Sequence, residues 1–259
     1  MKNGRFNCIS RGKRKIKLRY FLTFSFVFLL LLNLTEAESD KPLRIINNVN
    51  SEIDLIISKS YTRLLSHNYK GDMPYKIIIN GNEETFSYNF YDLNEDINYI
   101  TLKFNVQIKT CAFMFERFDE ILEIDLSDFD ISQVTSMKSM FNNCNNLKYI
   151  NLTNINFPSV EDMNSLFYCC TSLTSIDLSN HDLSKVTDIS YMFYNCRRLQ
   201  FINLKSIKLS SVEKMTHLFY GCISLISLDL SDSDFSNVQN ISYMFLNCIN
   251  LKYINLTNI

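Results

Sequence analysis

Two columns of chemically capable side chains recur every 26 residues over the last 150 or so residues of this 259-residue chain. The first alternates carboxylate and amide: Asp125, Asn151, Asp177, Asn203, Asp229 and Asn255. Oxygen ligands in a row could hold a divalent cation. The second is a column of thiols, Cys144, Cys170, Cys196, Cys222 and Cys248. Thiols in a row could bridge, bind zinc or act as nucleophiles. Two histidines, His181 and His217, lie in the same region and a third, His67, precedes it.

The spacing argues against most of this chemistry. Each Asp is separated from the next by an Asn unit, so stacked units would place carboxylates roughly 9–10 Å apart at the strand spacing. That is too far for shared coordination of calcium. The thiols occupy one apolar slot, filled by Phe118 in the first unit, and in-register side chains point the same way rather than at each other. A ladder of buried, unoxidised thiols used as small hydrophobes is expected. No Cys-x-x-Cys pair or Cys/His quartet suits zinc. His181 shares a turn-packing column with Phe129, Ile155, Ile207 and Ser233, and His217 beside Leu218 is expected to be solvated. Neither has a recurring Ser or Cys partner, so no nucleophilic triad is indicated. With five glycines in all, no phosphate-binding loop is present. Neither metal nor cofactor is expected.

The elements that must position these residues follow from the period. Phe115, Phe141, Phe167, Phe193, Phe219 and Phe245 form one apolar column, and Leu126, Leu152, Leu178, Leu204, Leu230 and Leu256 another. A fixed period of this length marks a solenoid whose coils bury their apolar faces only by stacking. Leu199, Ile202 and Leu204 give the Leu-x-x-Leu-x-Leu pattern of a strand. Val186, Ile189, Met192 and Phe193 have helical spacing, with Ser184 or Thr187 as N-cap. The expected fold class is α/β: a leucine-rich-repeat solenoid of 26-residue strand–turn–short-helix coils over residues 108–259, about six coils. Ile108 and Cys111 already fall in the columns of Val134 and Met137.

Strand alternation turns Tyr149, Asn151, Asp177, Phe201, Asn203, Asp229 and Tyr253 away from the core. An aromatic every second coil, with Asp and Asn between, defines a 52-residue super-unit and a candidate ligand-binding strand face. The rival reading is that the rings merely cover Ser175 and Ser227.

Residues 38–107 do not repeat. Short β-like runs at 53–57, 75–79 and 99–104, the middle one ending in Asn80-Gly81, predict a β-rich N-terminal cap. Before residue 36 there are eight basic residues and no acidic one, which leaves 18 basic against 27 acidic residues beyond it. An acidic body carries no footprint for nucleic acid. The basic start runs into the apolar stretch 20–32 and the small-x-small step Thr35-Glu36-Ala37, so residues 1–37 are expected to be a secretory signal peptide. The apolar stretch falls short of the roughly 20 residues a spanning helix needs. Membrane attachment is expected only through an uncleaved leader or an anchor beyond Ile259. The last coil stops just after its strand, so the chain is expected to be a fragment without its C-terminal cap.

The run Leu173-x-x-Ile176-Asp177-Leu178-Ser179-x-x-Asp182-Leu183-Ser184-x-Val186-Thr187-Asp188-Ile189-x-x-Met192-Phe193-x-x-Cys196 resembles the BspA-like leucine-rich repeat, including the version common in mycoplasma surface lipoproteins. The resemblance covers residues 108–259. It implies a secreted or surface-exposed protein acting in adhesion and protein binding, without catalysis, toward host, matrix or cell-surface proteins, with glycans as a second partner class. Two features depart from it: Cys8 precedes the apolar run, so there is no lipobox, and no cell-wall sorting signal closes the chain. The alternatives are a secreted β-helix polysaccharide-active enzyme and the ectodomain of a larger membrane receptor.

Overall fold

The computed structural model describes residues 51–87 and 90–258. The expected leader 1–37 and the first residues of the expected cap lie outside them. These described residues belong to one compact unit. Four antiparallel strands come first: β1 (Ser51–Thr62), β2 (Lys76–Ile79), β3 (Asn82–Thr85) and β4 (Tyr91–Phe104). Ile53, Leu55 and Ile57 alternate inward on β1 and are fully buried. Asn80 and Gly81 join β2 to β3 with φ of 49° and 85°, the two left-handed positions that a tight hairpin turn requires.

Each following coil contributes one short strand: β5 (Ile121–Asp125), β6 (Tyr149–Asn151), β7 (Ser175–Asp177), β8 (Phe201–Asn203), β9 (Ser227–Asp229) and β10 (Tyr253–Asn255). They pair in parallel with a register of 26 residues, as in Ile124 with Ile150 and Ile202 with Leu228. β1 pairs antiparallel with β5, so the non-repeat strands and the first two coils share one sheet of order β3-β2-β4-β1-β5-β6. Pairing lapses between β6 and β7, and a second sheet runs β7 to β10.

The expected helices are not there. Among the described residues the chain forms strands and turns only, so the fold is all-β and not the α/β class that the helical spacing predicts. The reason lies in the backbone. Phe113, Ser139, Ser165, Tyr191, His217 and Tyr243 all have φ between 53° and 62°. Four residues on, Arg117, Asn143, Cys169, Asn195, Gly221 and Asn247 are left-handed as well. Two left-handed residues per turn segment are incompatible with a right-handed helix.

The hydrogen bonds divide accordingly. Met192, Cys196 and Leu199 donate to the carbonyl three residues back, as in Cys196 N–H to Phe193 O at 3.2 Å. Alternate residues donate to the next coil: Tyr191 to Thr216 O, Phe193 to Leu218 O and Asn195 to Tyr220 O, at 2.7–2.9 Å. The same division recurs in the neighbouring coils. A helix satisfies its N–H groups within itself; here every second one belongs to the neighbouring coil. Inward residues at steps of three, such as Leu183, Val186, Ile189 and Met192, therefore imitate helical spacing while sitting on a chain of turns.

Stacking builds the core. The six column phenylalanines lie ring on ring, with centroids 5.4–5.8 Å apart and planes within 10°. The five from Phe115 to Phe219 are fully buried. In the coil that holds β10 the same columns are more open, with Ile254 and Leu256 exposed.

Candidate functional site

The strand face carries the seven residues singled out by alternation. Tyr149, Phe201 and Tyr253 are 40%, 56% and 71% exposed. Register places Phe201 beside Ser175 on one side and Ser227 on the other, and Ser227 beside Tyr253. Ser175 remains exposed despite its neighbouring ring. Tyr149 stands opposite Glu123 and next to the Asp125–Asn151 pair of its strands. Partial burial, with the Asp125 and Glu123 carboxylates adding to it, raises the pKa of its phenol.

The Asp and Asn side chains between the rings are engaged by the fold itself. Each accepts, through Oδ1, the backbone N–H two residues on. Examples are Ser127 N–H to Asp125, Thr153 to Asn151, Ser179 to Asp177 and Ser231 to Asp229, at 2.8–3.0 Å. These Asx turns end the strand and open the corner that follows. Each Asn also donates across to the Asp of the coil before it: Asn151 Nδ2 to Asp125 Oδ1 at 3.0 Å and Asn203 Nδ2 to Asp177 Oδ2 at 3.3 Å. Asp125 is buried by this arrangement. The hydrogen bond from Ser231 holds the Asp229 carboxyl below its ordinary range. Of the seven residues, then, the aromatic ones are presented outward while the Asx ones are tied into turns.

The thiol column is buried from Cys144 to Cys222 and partly open at Cys248, and all seven cysteines among the described residues are free. It is more than hydrophobic filler. Each column thiol donates S–H to the phenylalanine carbonyl 29 residues back, as in Cys196 Sγ to Phe167 O at 3.1 Å and Cys222 Sγ to Phe193 O at 3.0 Å. Burial pushes the Cys144, Cys170, Cys196 and Cys222 thiols far up, and Cys248, half-open in its coil, to about 11. Such thiols are neither nucleophiles nor ready metal ligands. Among the described residues no group of three or more His, Cys, Asp or Glu could hold a metal ion.

His217 is not solvated as its neighbours in sequence suggest. Its ring is half-buried, stacked on Tyr191 at 4.7 Å and tilted against Tyr243 at 4.9 Å. Beside that stack runs a second, Tyr168–Tyr194–Tyr220, with centroids 4.7 and 4.6 Å apart. This aromatic ladder on the turn side was legible as tyrosines recurring after the column phenylalanine, yet helical spacing would have scattered them. His181 packs against Phe157 at 5.4 Å, a turn-packing variant as its column implies.

No helix among the described residues is long and apolar enough to cross a membrane. No curated protein and no solved structure matches the chain. Residues 109–226 and 177–258 match the family described as Mycoplasma protein of unknown function, DUF285. These matches overlap and together run through the stacked coils over more than half of the chain, so the chain belongs to the DUF285 family of mycoplasma proteins.

Proposed function

We propose that this protein is a binding module of the BspA-like surface type, secreted or displayed outside the cell, taking a protein partner on its strand face without catalysis. The observation that carries this reading is the exposure of Tyr149, Phe201 and Tyr253 at every second coil, on a face whose polar side chains are already held in turns. Outward aromatic rings on a rigid strand scaffold supply contact area at small entropic cost. Their register, two coils apart, corresponds to roughly 10 Å at the strand spacing, which suits an extended partner.

The test is adhesion of the secreted chain to immobilised host and matrix proteins, with Tyr149→Ala and Phe201→Ala measured alongside. Binding through the rings predicts loss of adhesion with unchanged melting. Lowered melting with intact adhesion would assign the rings to packing and sink the proposal.

A further inference from the structure

Away from the strand face, the segment between β1 and β2 folds over a cleft of about 410 Å³, within the range of small-molecule sites. Its walls include the apolar side chains of Leu65, Met73 and Phe86, and its rim carries Arg63, His67 and Lys70. No Asp or Glu lines it, although acidic residues outnumber basic ones by 27 to 18 beyond residue 35. The basic groups are placed rather than scattered. Arg63 lies over the Phe90 ring, its guanidinium carbon 4.9 Å from the centroid, and Phe90 is itself stacked on Tyr61 at 5.1 Å. Lys70 Nζ donates to the backbone carbonyl of His67 at 3.2 Å. Among the described residues none of the three forms an ion pair with a carboxylate. Of the acidic side chains nearby, Glu116 accepts from Asn68 Nδ2 at 2.6 Å, and the Asp72 carboxylate does not line the cleft.

The floor is closely packed. Tyr69 is buried, its hydroxyl anchored on Asp72, and its ring lies where any side chain at position 71 would have to go. A Cβ on Gly71 would meet the ring at 2.5 Å. Glycine at 71 thus lets the ring form the floor of the cleft.

We infer that this cleft binds a small organic anion, a carboxylate or phosphate ester with an apolar body, its charge met by Arg63 and Lys70 and its body by Leu65, Met73 and Phe86. A guanidinium and an ammonium that no carboxylate neutralises among the described residues favour an anionic headgroup, and the apolar wall would reject a bare inorganic ion.

Calorimetric titration of the full chain with hexyl phosphate, hexanoate and inorganic phosphate tests this. The expected result is saturable binding of one of the two alkyl anions, the tighter identifying the headgroup, with inorganic phosphate weaker. The Arg63→Gln, Lys70→Gln double variant should bind that anion at least about tenfold more weakly and melt as the parent does, since both side chains are exposed. Absence of saturation with both alkyl anions, equal affinity for inorganic phosphate, or undiminished binding by the double variant would overturn the inference. Because the cleft is separate from Tyr149, Phe201 and Tyr253, adhesion and anion binding stand or fall independently.

Discussion

Replacing Arg117 by glycine should leave the protein more stable than replacing it by alanine, the reverse of what a helix would show. Arg117 is exposed, has φ of 58°, and its N–H donates to Asn142 O at 2.7 Å, a bond both variants keep. A left-handed backbone costs an ordinary L residue about 1–2 kcal/mol, which glycine escapes. Glycine gives back about 0.5–1 kcal/mol through its greater freedom in the unfolded chain. Arg117→Gly should therefore exceed Arg117→Ala in stability by about 0.5–1 kcal/mol, whereas in a helix interior glycine would fall about 1 kcal/mol below alanine. Urea unfolding of both variants reads the sign directly from the transition midpoints. Arg198, also exposed but outside the left-handed region, is the control: there glycine should be the weaker of the two. If Arg117→Gly proves the less stable by about 1 kcal/mol, the left-handed turn assignment is wrong and a helix is restored.

Phe193→Ala removes a fully buried ring stacked between Phe167 and Phe219, both at 5.6 Å, and should cost about 3–5 kcal/mol in urea unfolding; Phe245→Ala, with one stacked neighbour and a partly buried ring, should cost less than half of that. Cys196→Ser should be milder than Cys196→Ala, because a hydroxyl can still donate to Phe167 O; an alanine variant as stable as the serine one would show that the S–H bond contributes nothing. Thiol labelling of the native chain should be slow at Cys144, Cys170, Cys196 and Cys222 and faster at Cys169 and Cys248, which are only partly buried. Hydrogen bonds from Ser184 and then Lys208, at 2.9 Å, hold the Asp182 carboxyl down to about 2. A depressed carboxylate contributes stability that is present above its ordinary value and lost as pH falls toward its folded one. The small stability difference between the parent and Asp182→Asn should accordingly fade between about pH 4 and 2, and a difference that grows with acidification would contradict the assignment.

The period, the inward columns and the strands were legible because stacking obliges every coil to repeat the same apolar residues. The turn segment reads as helical because its inward residues recur at steps of three and four, as on a helix. What distinguishes the two is local and weaker. Position 195 and its equivalents read Arg117, Asn143, Cys169, Asn195, Gly221 and Asn247, and the corner after each strand from β6 to β10 reads Asn154, Asn180, Ser206, Asp232 and Asn258. Asn, Asp and Gly gather there because those positions have φ between 55° and 71°, where such residues are least penalised. The column with Phe113 and Tyr191 shows no such enrichment although it is equally left-handed. At Tyr191, His217 and Tyr243 the stacked aromatic rings outweigh local preference. The anion-binding cleft could not be read from the chain, because its basic residues share no period and meet only through the fold of the segment between β1 and β2.

The alternation of Asp and Asn has a physical cause that also narrows the candidate site. Each side chain in that column must accept the N–H two residues on, which both residue types can do. A column of Asp alone would stack like charges at about 4.8 Å with no donor between them. Asn supplies the missing donor to the preceding coil, as Asn151 does to Asp125 and Asn203 to Asp177. Two-coil periodicity is thus sufficient to satisfy the column, and it explains a super-unit of 52 residues without appeal to any ligand. The aromatic positions follow the same rhythm but answer to no such constraint, since Ser175 and Ser227 occupy the equivalent places with the strand intact. Selection for turns accounts for the Asx column; it leaves Tyr149, Phe201 and Tyr253 unaccounted for. A partner on the strand face should therefore tolerate Asp177→Asn, which keeps the turn acceptor, and fail on Phe201→Ala. The opposite pattern would move the contact from the rings to the charges.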